Sequence, residues 1–298
     1  MKKILSILFA TLFFLGCSSK NHEERTPIVV TSTYALYDVA SFIAGEYIDV
    51  RLLLQPGMEV HSFEPTPKDV ALLHKSKLFL YNGAGLEPWV ERFAKGINSI
   101  DMSGFVTLQK ALHHHHHHSS SHNGFDPHYW LDITNQQKIS KIIAQKLAQL
   151  DPKHKDVFMQ NAQRYMEKLE ALDQEYHQGL QSCKKDTIFV NHNAYSYLAR
   201  RYGFKVDSLV GLSPDAKPSP KAIEEILKEI KDEKIKVIFG ESFENNNVVK
   251  MIAKDSGVSF EILHPLANLT KEEAKQHQNY FSIMRQNLQK LHQAMECK

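Results

Sequence analysis

Cysteine is scarce in this 298-residue chain: Cys17, Cys183 and Cys297 are the whole inventory. Leaving Cys17 aside, one bridge at most is available. Cys183 and Cys297 can pair in an oxidising compartment or remain two thiols, because chain position does not place them within bridging distance. Excess charge is also lacking. The formal net charge is +2, and it falls to near neutrality if Lys2 and Lys3 leave with a signal segment. A nucleic-acid partner, which needs a net basic face, is therefore not expected. Only one long apolar run exists, Ile4 to Gly16, too short to span a bilayer core of about 30 Å as a stable helix. The chain also has no His-Glu-x-x-His pair, the helix-borne metal-hydrolase arrangement.

The opening residues read as export machinery. Basic Met1 to Lys3 precede the apolar run, and Phe14-Leu15-Gly16-Cys17 resembles a bacterial lipobox, with Phe14 in place of the usual Leu. Residues 1–16 are then a signal peptide and Cys17 the lipidated first residue. Residues 17–26 form a polar tether. The expected product is a protein of the periplasm or cell surface, held to a membrane by its lipid.

Histidine is abundant where cysteine is not. His113, His114, His115, His116, His117 and His118 form an unbroken run of six, and His122 follows. Neutral imidazole suits zinc, copper and nickel, so this tract reads as a metal-collecting loop. Its internal position argues against an appended purification tag. Directly after it, Asp126-Pro127-His128-Tyr129-Trp130-Leu131-Asp132 offers a Pro-fixed turn, one anchored histidine and bulky residues to pack.

Short β-branched runs alternate with amphipathic stretches on both sides of this region, which predicts α/β architecture with mainly parallel sheets. Strands are expected over Ile28 to Thr31, Ile48 to Leu54 and Leu78 to Tyr81. Helices are expected over Tyr34 to Ala44, Thr66 to His74 and Leu86 to Lys95. After a helix from Asn135 to Leu150, the residues Phe158, Ala162, Tyr165, Leu169, Leu172, Tyr176 and Leu180 recur at spacings of three and four. That is one long helix with a single apolar stripe, read as a stiff connector between halves. The second half repeats the scheme: strands near Thr187 to Val190, Lys236 to Gly240 and Ser259 to Leu263, an extended segment over Lys205 to Val210, and a closing helix from Thr270 to Ala294. Pro65-Thr66-Pro67-Lys68 and Pro218-Ser219-Pro220-Lys221 each open a helix that precedes an apolar strand, so the halves read as similar lobes with a cleft between them. The expected division is an N-terminal lobe over 27–150 carrying the histidine loop 113–122, a connecting helix over 151–183 and a C-terminal lobe over 184–298.

Four single histidines fall where such a cleft would need them. His61 follows the second strand and its Pro-Gly turn, His128 sits in the Asp-Pro-His turn, His192 comes just after the strand Thr187 to Val190, and His264 directly follows another. Ligands of open α/β sheets bind outside the carboxyl ends of strands, so these side chains can converge on one metal ion.

The whole mature chain resembles the zinc-uptake branch of the metal-binding lipoproteins that serve ABC importers, the ZnuA-like proteins. The resemblance is carried by His61-Ser62-Phe63-Glu64-Pro65-Thr66-Pro67, Asp126-Pro127-His128-Tyr129-Trp130-Leu131, Asn191-His192-Asn193-Ala194-Tyr195 and His264-Pro265-Leu266, with a His-rich loop before the Asp-Pro-His segment. It implies two lobes joined by a long rigid helix and a metal held between them. It also implies delivery to a membrane permease driven by a cytoplasmic ATPase, by a carrier expected to be a monomer and not an enzyme. Carried over by position, His61, His128 and His192 are the implied ligands. Histidine at 192, where manganese binders have an acidic residue, favours Zn²⁺. Many relatives have aspartate before Pro-Leu, where this chain has His264. A fourth imidazole would tilt the site further from manganese and leave copper and nickel open. Glu59, Glu64 or a water are the other candidates to complete the shell. Readings from other classes are a zinc hydrolase, which needs an open position and a poised base, and a surface adhesin, for which no recognition surface is legible.

Overall fold

The computed structural model describes residues 26–111, 124–212 and 218–298. The expected signal peptide, Cys17 and most of the tether lie outside those residues. So does the whole expected metal-collecting tract: His113, His114, His115, His116, His117, His118 and His122. Two four-stranded sheets organise the chain. In the first, β1 (Ile28–Thr31) leads to helix α1 (Tyr34–Ala44) and β2 (Asp49–Leu52); α2 (Pro67–Lys75) precedes β3 (Leu78–Tyr81), and the short α3 (Val90–Phe93) precedes β4 (Ser99–Asp101). Helices α4 (Ile133–Leu150) and α5 (Lys155–Leu180) follow. The second sheet is built from β5 (Thr187–His192), α6 (Ser196–Tyr202), β6 (Lys205–Val210), α7 (Pro220–Asp232), β7 (Val237–Gly240), α8 (Asn247–Ser256) and β8 (Ser259–Ile262). Helices α9 (Lys271–Lys275) and α10 (Tyr280–Ala294) close the chain.

All strand pairs are parallel, and the spatial orders are β2-β1-β3-β4 and β6-β5-β7-β8, the same topology twice. The two Pro-Thr/Ser-Pro-Lys segments occupy matching places in it. Thr66 caps α2 by accepting a hydrogen bond from the Asp69 N–H, and Ser219 caps α7 by accepting one from the Ala222 N–H. In each case proline stands at the first helical position, where its missing N–H costs nothing. Every residue of β5 is buried, as a central parallel strand covered on both faces must be.

Helix α5 runs between the lobes. All seven stripe residues expected to face inward are buried. Polar groups on the same helix tie it to both sides: the Asn161 amide donates to Ile43 O at 3.0 Å, the Tyr165 hydroxyl to Asp38 at 2.8 Å, and the Tyr176 hydroxyl to Met284 O at 2.7 Å on α10. Cys183 and Cys297 form a disulfide that fastens the chain beyond α5 to the segment after α10. One apolar core is continuous from Val29 and Leu80 of the first sheet, through α5, to Ile188 and Leu263 of the second half. A smaller cluster, including Phe189, Ile226, Ile238 and Val249, lies under α7 and α8.

Two local expectations need correction, and one strand was missed. Only Val90–Phe93 of the segment expected to be helical over 86–95 is an α-helix. The expected helix over 270–294 is two helices, because His277 takes a left-handed φ of 52° and Asn279 starts a new capping box with Ser282. Strand β4 was not anticipated; three residues are too few to show a period.

Candidate metal centre

The carboxyl ends of both sheets face one cleft, lined by His61, His128, His192, Glu59, Glu241 and Glu244 among others. His61 lies in the connection from β2 to α2. His128 lies at the start of the 3₁₀ turn Tyr129–Leu131, and His192 is the last residue of β5. Each of the three contributes a ring nitrogen to a group whose members all lie within 4.8 Å of one another. The Nε2 atoms of His61 and His128 are 3.3 Å apart. Tetrahedral zinc with nitrogen bonds of about 2.0–2.1 Å separates its donors by about 3.3 Å, so this pair already has the spacing of two ligands on one ion.

Carboxylates stand behind two of the rings. Asp126 Oδ1 is 2.8 Å from His128 Nδ1 and also accepts the His128 backbone N–H, while Tyr197 donates to the Asp126 carbonyl. His192 Nδ1 lies 2.6 Å from Glu244 Oε1 and 3.0 Å from Glu241 Oε1. Asp126 thus holds His128 with Nε2 toward His61, the orientation that a carboxylate behind a ligating histidine enforces, while Glu241 and Glu244 flank His192 Nδ1 at ion-pair distance. The buried His192 Nε2 has no hydrogen-bond partner among the described residues. A buried polar atom left in this way is suited to a cation.

The charges are strongly coupled. Burial pushes the His192 pKa down, but Glu241 and Glu244 outweigh it and hold the imidazole well above its ordinary range. Burial raises the Glu241 carboxyl to about 8, against the opposing pull of His192. Burial also raises Glu244, but His192 and the Asn191 amide reverse the sign and leave it lowered. The group is therefore an imidazolium facing one ionised and one largely protonated carboxyl.

Glu241 and Glu244 were not anticipated, although the rule that picked out His192 applies to them: they follow the carboxyl end of β7. The turn that presents them is braced by Asn246, whose Oδ1 accepts from Glu241 N while its amide donates to the carbonyls of Glu241 and Glu244. Gly240 is required there, since a Cβ would lie 2.0 Å from Asn246 Oδ1.

The other expected ligands are placed differently. His264, expected as the fourth ligand, is outside the three-histidine group. Its Nδ1 accepts the Leu266 N–H at 2.9 Å and its Nε2 lies 3.2 Å from Glu273 Oε2, so both ring nitrogens are committed within its own lobe. Glu64 is exposed and paired with Arg92 at 2.5 Å. Glu59 lines the cleft, with its Oε2 accepting from Ser62 N at 2.9 Å.

Two lobes of identical sheet order with three convergent imidazoles between them make a two-lobed protein with a candidate metal site in its cleft. Residues 29–294 match the family model described as ZnuA, zinc-uptake complex component A periplasmic, and the chain belongs to that family. It is 34% identical to the zinc-binding lipoprotein AdcA of Streptococcus pneumoniae over 99% of this chain and 62% of that protein. It is 33% identical to the high-affinity zinc uptake system protein ZnuA of Bacillus subtilis, covering 91% of this chain and 88% of the relative. The solved laminin-binding protein of Streptococcus agalactiae, described as bifunctional with adhesin and metal-transporting activity, aligns with a TM-score of 0.80 at 32% identity, over 90% of this chain and 99% of that one. The chain spans about three fifths of the length of the AdcA relatives that it matches.

Proposed function

We propose that this protein captures Zn²⁺ outside the cytoplasm and delivers it to an ABC-type zinc importer, a membrane permease driven by a cytoplasmic ATPase. The observation that carries this reading is the convergence of three imidazole nitrogens in the interlobe cleft, two of them oriented by carboxylates behind the ring. His61, His128 and His192 hold the ion, and Glu59 or a water takes the fourth position. An all-nitrogen triad is poorly matched to manganese, which favours oxygen ligands. Zinc is the cargo here. Glu241 and Glu244 lie against His192 Nδ1 and place negative charge beside a ligand, which suits a carrier of a divalent cation. Cys17 carries the lipid that keeps it at the membrane. The tract from His113 to His118, with His122, gathers zinc for the cleft. The names of the AdcA and ZnuA relatives support zinc as the ion.

The test is competitive zinc titration of the parent, of His61→Ala and of a form lacking residues 113–122. One chelator-resistant zinc per chain that survives loop removal and is lost with His61 is expected. Preference for manganese, or loss of the tight site with the loop, would overturn the reading. A second reading, surface adhesion, is favoured by the dual description of the Streptococcus agalactiae protein, and a partner bound independently of metal would be its mark.

A further inference from the structure

His61 differs from the other two histidines in what holds it. His192 is part of β5, and His128 is braced by Asp126 and Tyr197. His61 sits in the irregular connection over residues 53–66. Within that connection, the turn over Gln55–Met58 is held from the opposite lobe. The side-chain amide of Asn268 donates one hydrogen to Gln55 O at 2.8 Å and the other to Met58 O at 2.9 Å. Its Oδ1 accepts the Leu269 N–H, so every group of this fully buried amide is used. Gly57 N donates to Leu269 O across the same junction at 2.8 Å, and Tyr34 N donates to Ala267 O.

The loop that carries Asn268 is made rigid by the histidine expected to be a ligand. His264 Nδ1 accepts the N–H of Leu266, which is fully buried and held at a left-handed φ of 59°. Its Nε2 meets Glu273, the same carboxylate that closes the capping box on Thr270 at the loop's far end. Both ends of the loop over 265–269 are therefore fastened to one imidazole, and its middle is fastened to the turn that leads into His61.

We propose that Asn268 is a positioning residue for zinc retention: it clasps the His61-bearing connection across the cleft, and zinc leaves when the clasp opens. It acts through the backbone at Gln55 and Met58. This rests on the cleft being the zinc site. The two amide hydrogen bonds and the registry they impose set the scale. Their loss should raise the zinc off-rate about tenfold or more.

The experiment is stopped-flow transfer of zinc from the full chain to an excess of a chromophoric chelator, for the parent, Asn268→Ala and Asn268→Asp. Asp keeps the volume and the acceptor for Leu269 N–H but has no hydrogens to donate to the two carbonyls. Melting of each zinc-free protein is measured alongside. Faster release from both variants is expected. A purely structural role would lower the melting temperature and leave release from the folded protein unchanged, and that result overturns the proposal. Hydrogen exchange of the parent supplies the test even if both variants misfold. Zinc should slow exchange of the Gly57 amide, because binding and clasp closure are linked reciprocally, and unchanged exchange overturns the proposal. A parent that holds no zinc fails the reading of the site itself, whereas a parent that holds zinc with unaltered variants fails the clasp alone.

Discussion

Glu244 Oε1 lies 2.6 Å from His192 Nδ1, and both side chains are buried. The contact places a negative charge beside a ligand that will carry part of the charge of a divalent ion. Replacing Glu244 by Gln retains the size and an acceptor oxygen but removes the charge. Zinc affinity is expected to fall about 10- to 100-fold, the usual cost of disturbing the partner of a ligating histidine. Isothermal titration with a competing chelator measures it, and an unchanged affinity would show that Glu241 alone suffices.

The same carboxylates make zinc binding sensitive to acid. They hold the His192 pKa well above 6.5, so the free site carries a proton that zinc must displace. Apparent affinity should therefore begin to fall above pH 6.5 and lose about tenfold per pH unit for this one proton as the solution becomes more acid. In Glu244→Gln the onset should move to lower pH. An affinity that is flat between about pH 8 and 6 in the parent would contradict this assignment.

His264→Ala separates a ligand from a strut. Zinc stoichiometry should remain at one tight ion per chain, in contrast to His61→Ala. The zinc-free protein should melt at lower temperature, because the Leu266 N–H and the Glu273 carboxylate both lose a partner. Loss of the tight ion in this variant would return His264 to the coordination shell.

A second pH dependence belongs to the fold. Glu87 is buried, and accepts hydrogen bonds from the Ser32 hydroxyl and from the backbone N–H groups of Asn82 and Gly83. Burial outweighs these donors and raises its pKa from 4.5 to about 7. The folded state thus binds the proton more tightly than the unfolded state between those values. Its contribution is fully present below pH 4.5 and is lost as pH rises through 7, amounting to about 3 kcal/mol. Denaturant unfolding of the zinc-free protein across this window should show that decline, and Glu87→Gln should flatten it.

Much of the architecture was legible in the residues. The stripe from Phe158 to Leu180 defined a long helix because an apolar face recurring every three or four residues has to be buried. The paired Pro-Thr-Pro and Pro-Ser-Pro segments marked equivalent helix starts, since a hydroxyl acceptor followed by proline satisfies the first turn of a helix. Signals failed where they were short or where context reversed them. Ser99-Ile100-Asp101 becomes a strand because β3 lies beside it. Thr270 to Asn279 holds Ala274 as its one apolar residue, so the apolar stripe begins only at Tyr280, after the backbone break at His277.

At the metal centre the division is sharper. Position after a strand singled out His61, His192 and His264, because parallel sheets place all such residues at the same edge, and the Asp-Pro-His turn singled out His128. What position could not supply was the direction of each ring. That depends on which hydrogen-bond partner reaches Nδ1 first. For His192 it is a carboxylate on the turn after β7, brought across from a separate strand. For His264 it is the backbone N–H two residues ahead, which turns the ring back into its own loop. The sequence by itself determined the alternation of strands and helices, the connecting helix and the supply of imidazoles at the strand ends, all of which follow from local periodicity and chain order. Only the tertiary structure decided which three imidazoles converge, which carboxylates stand behind them and which loop clasps His61. Those are contacts between segments far apart in the chain, made once both sheets share a core.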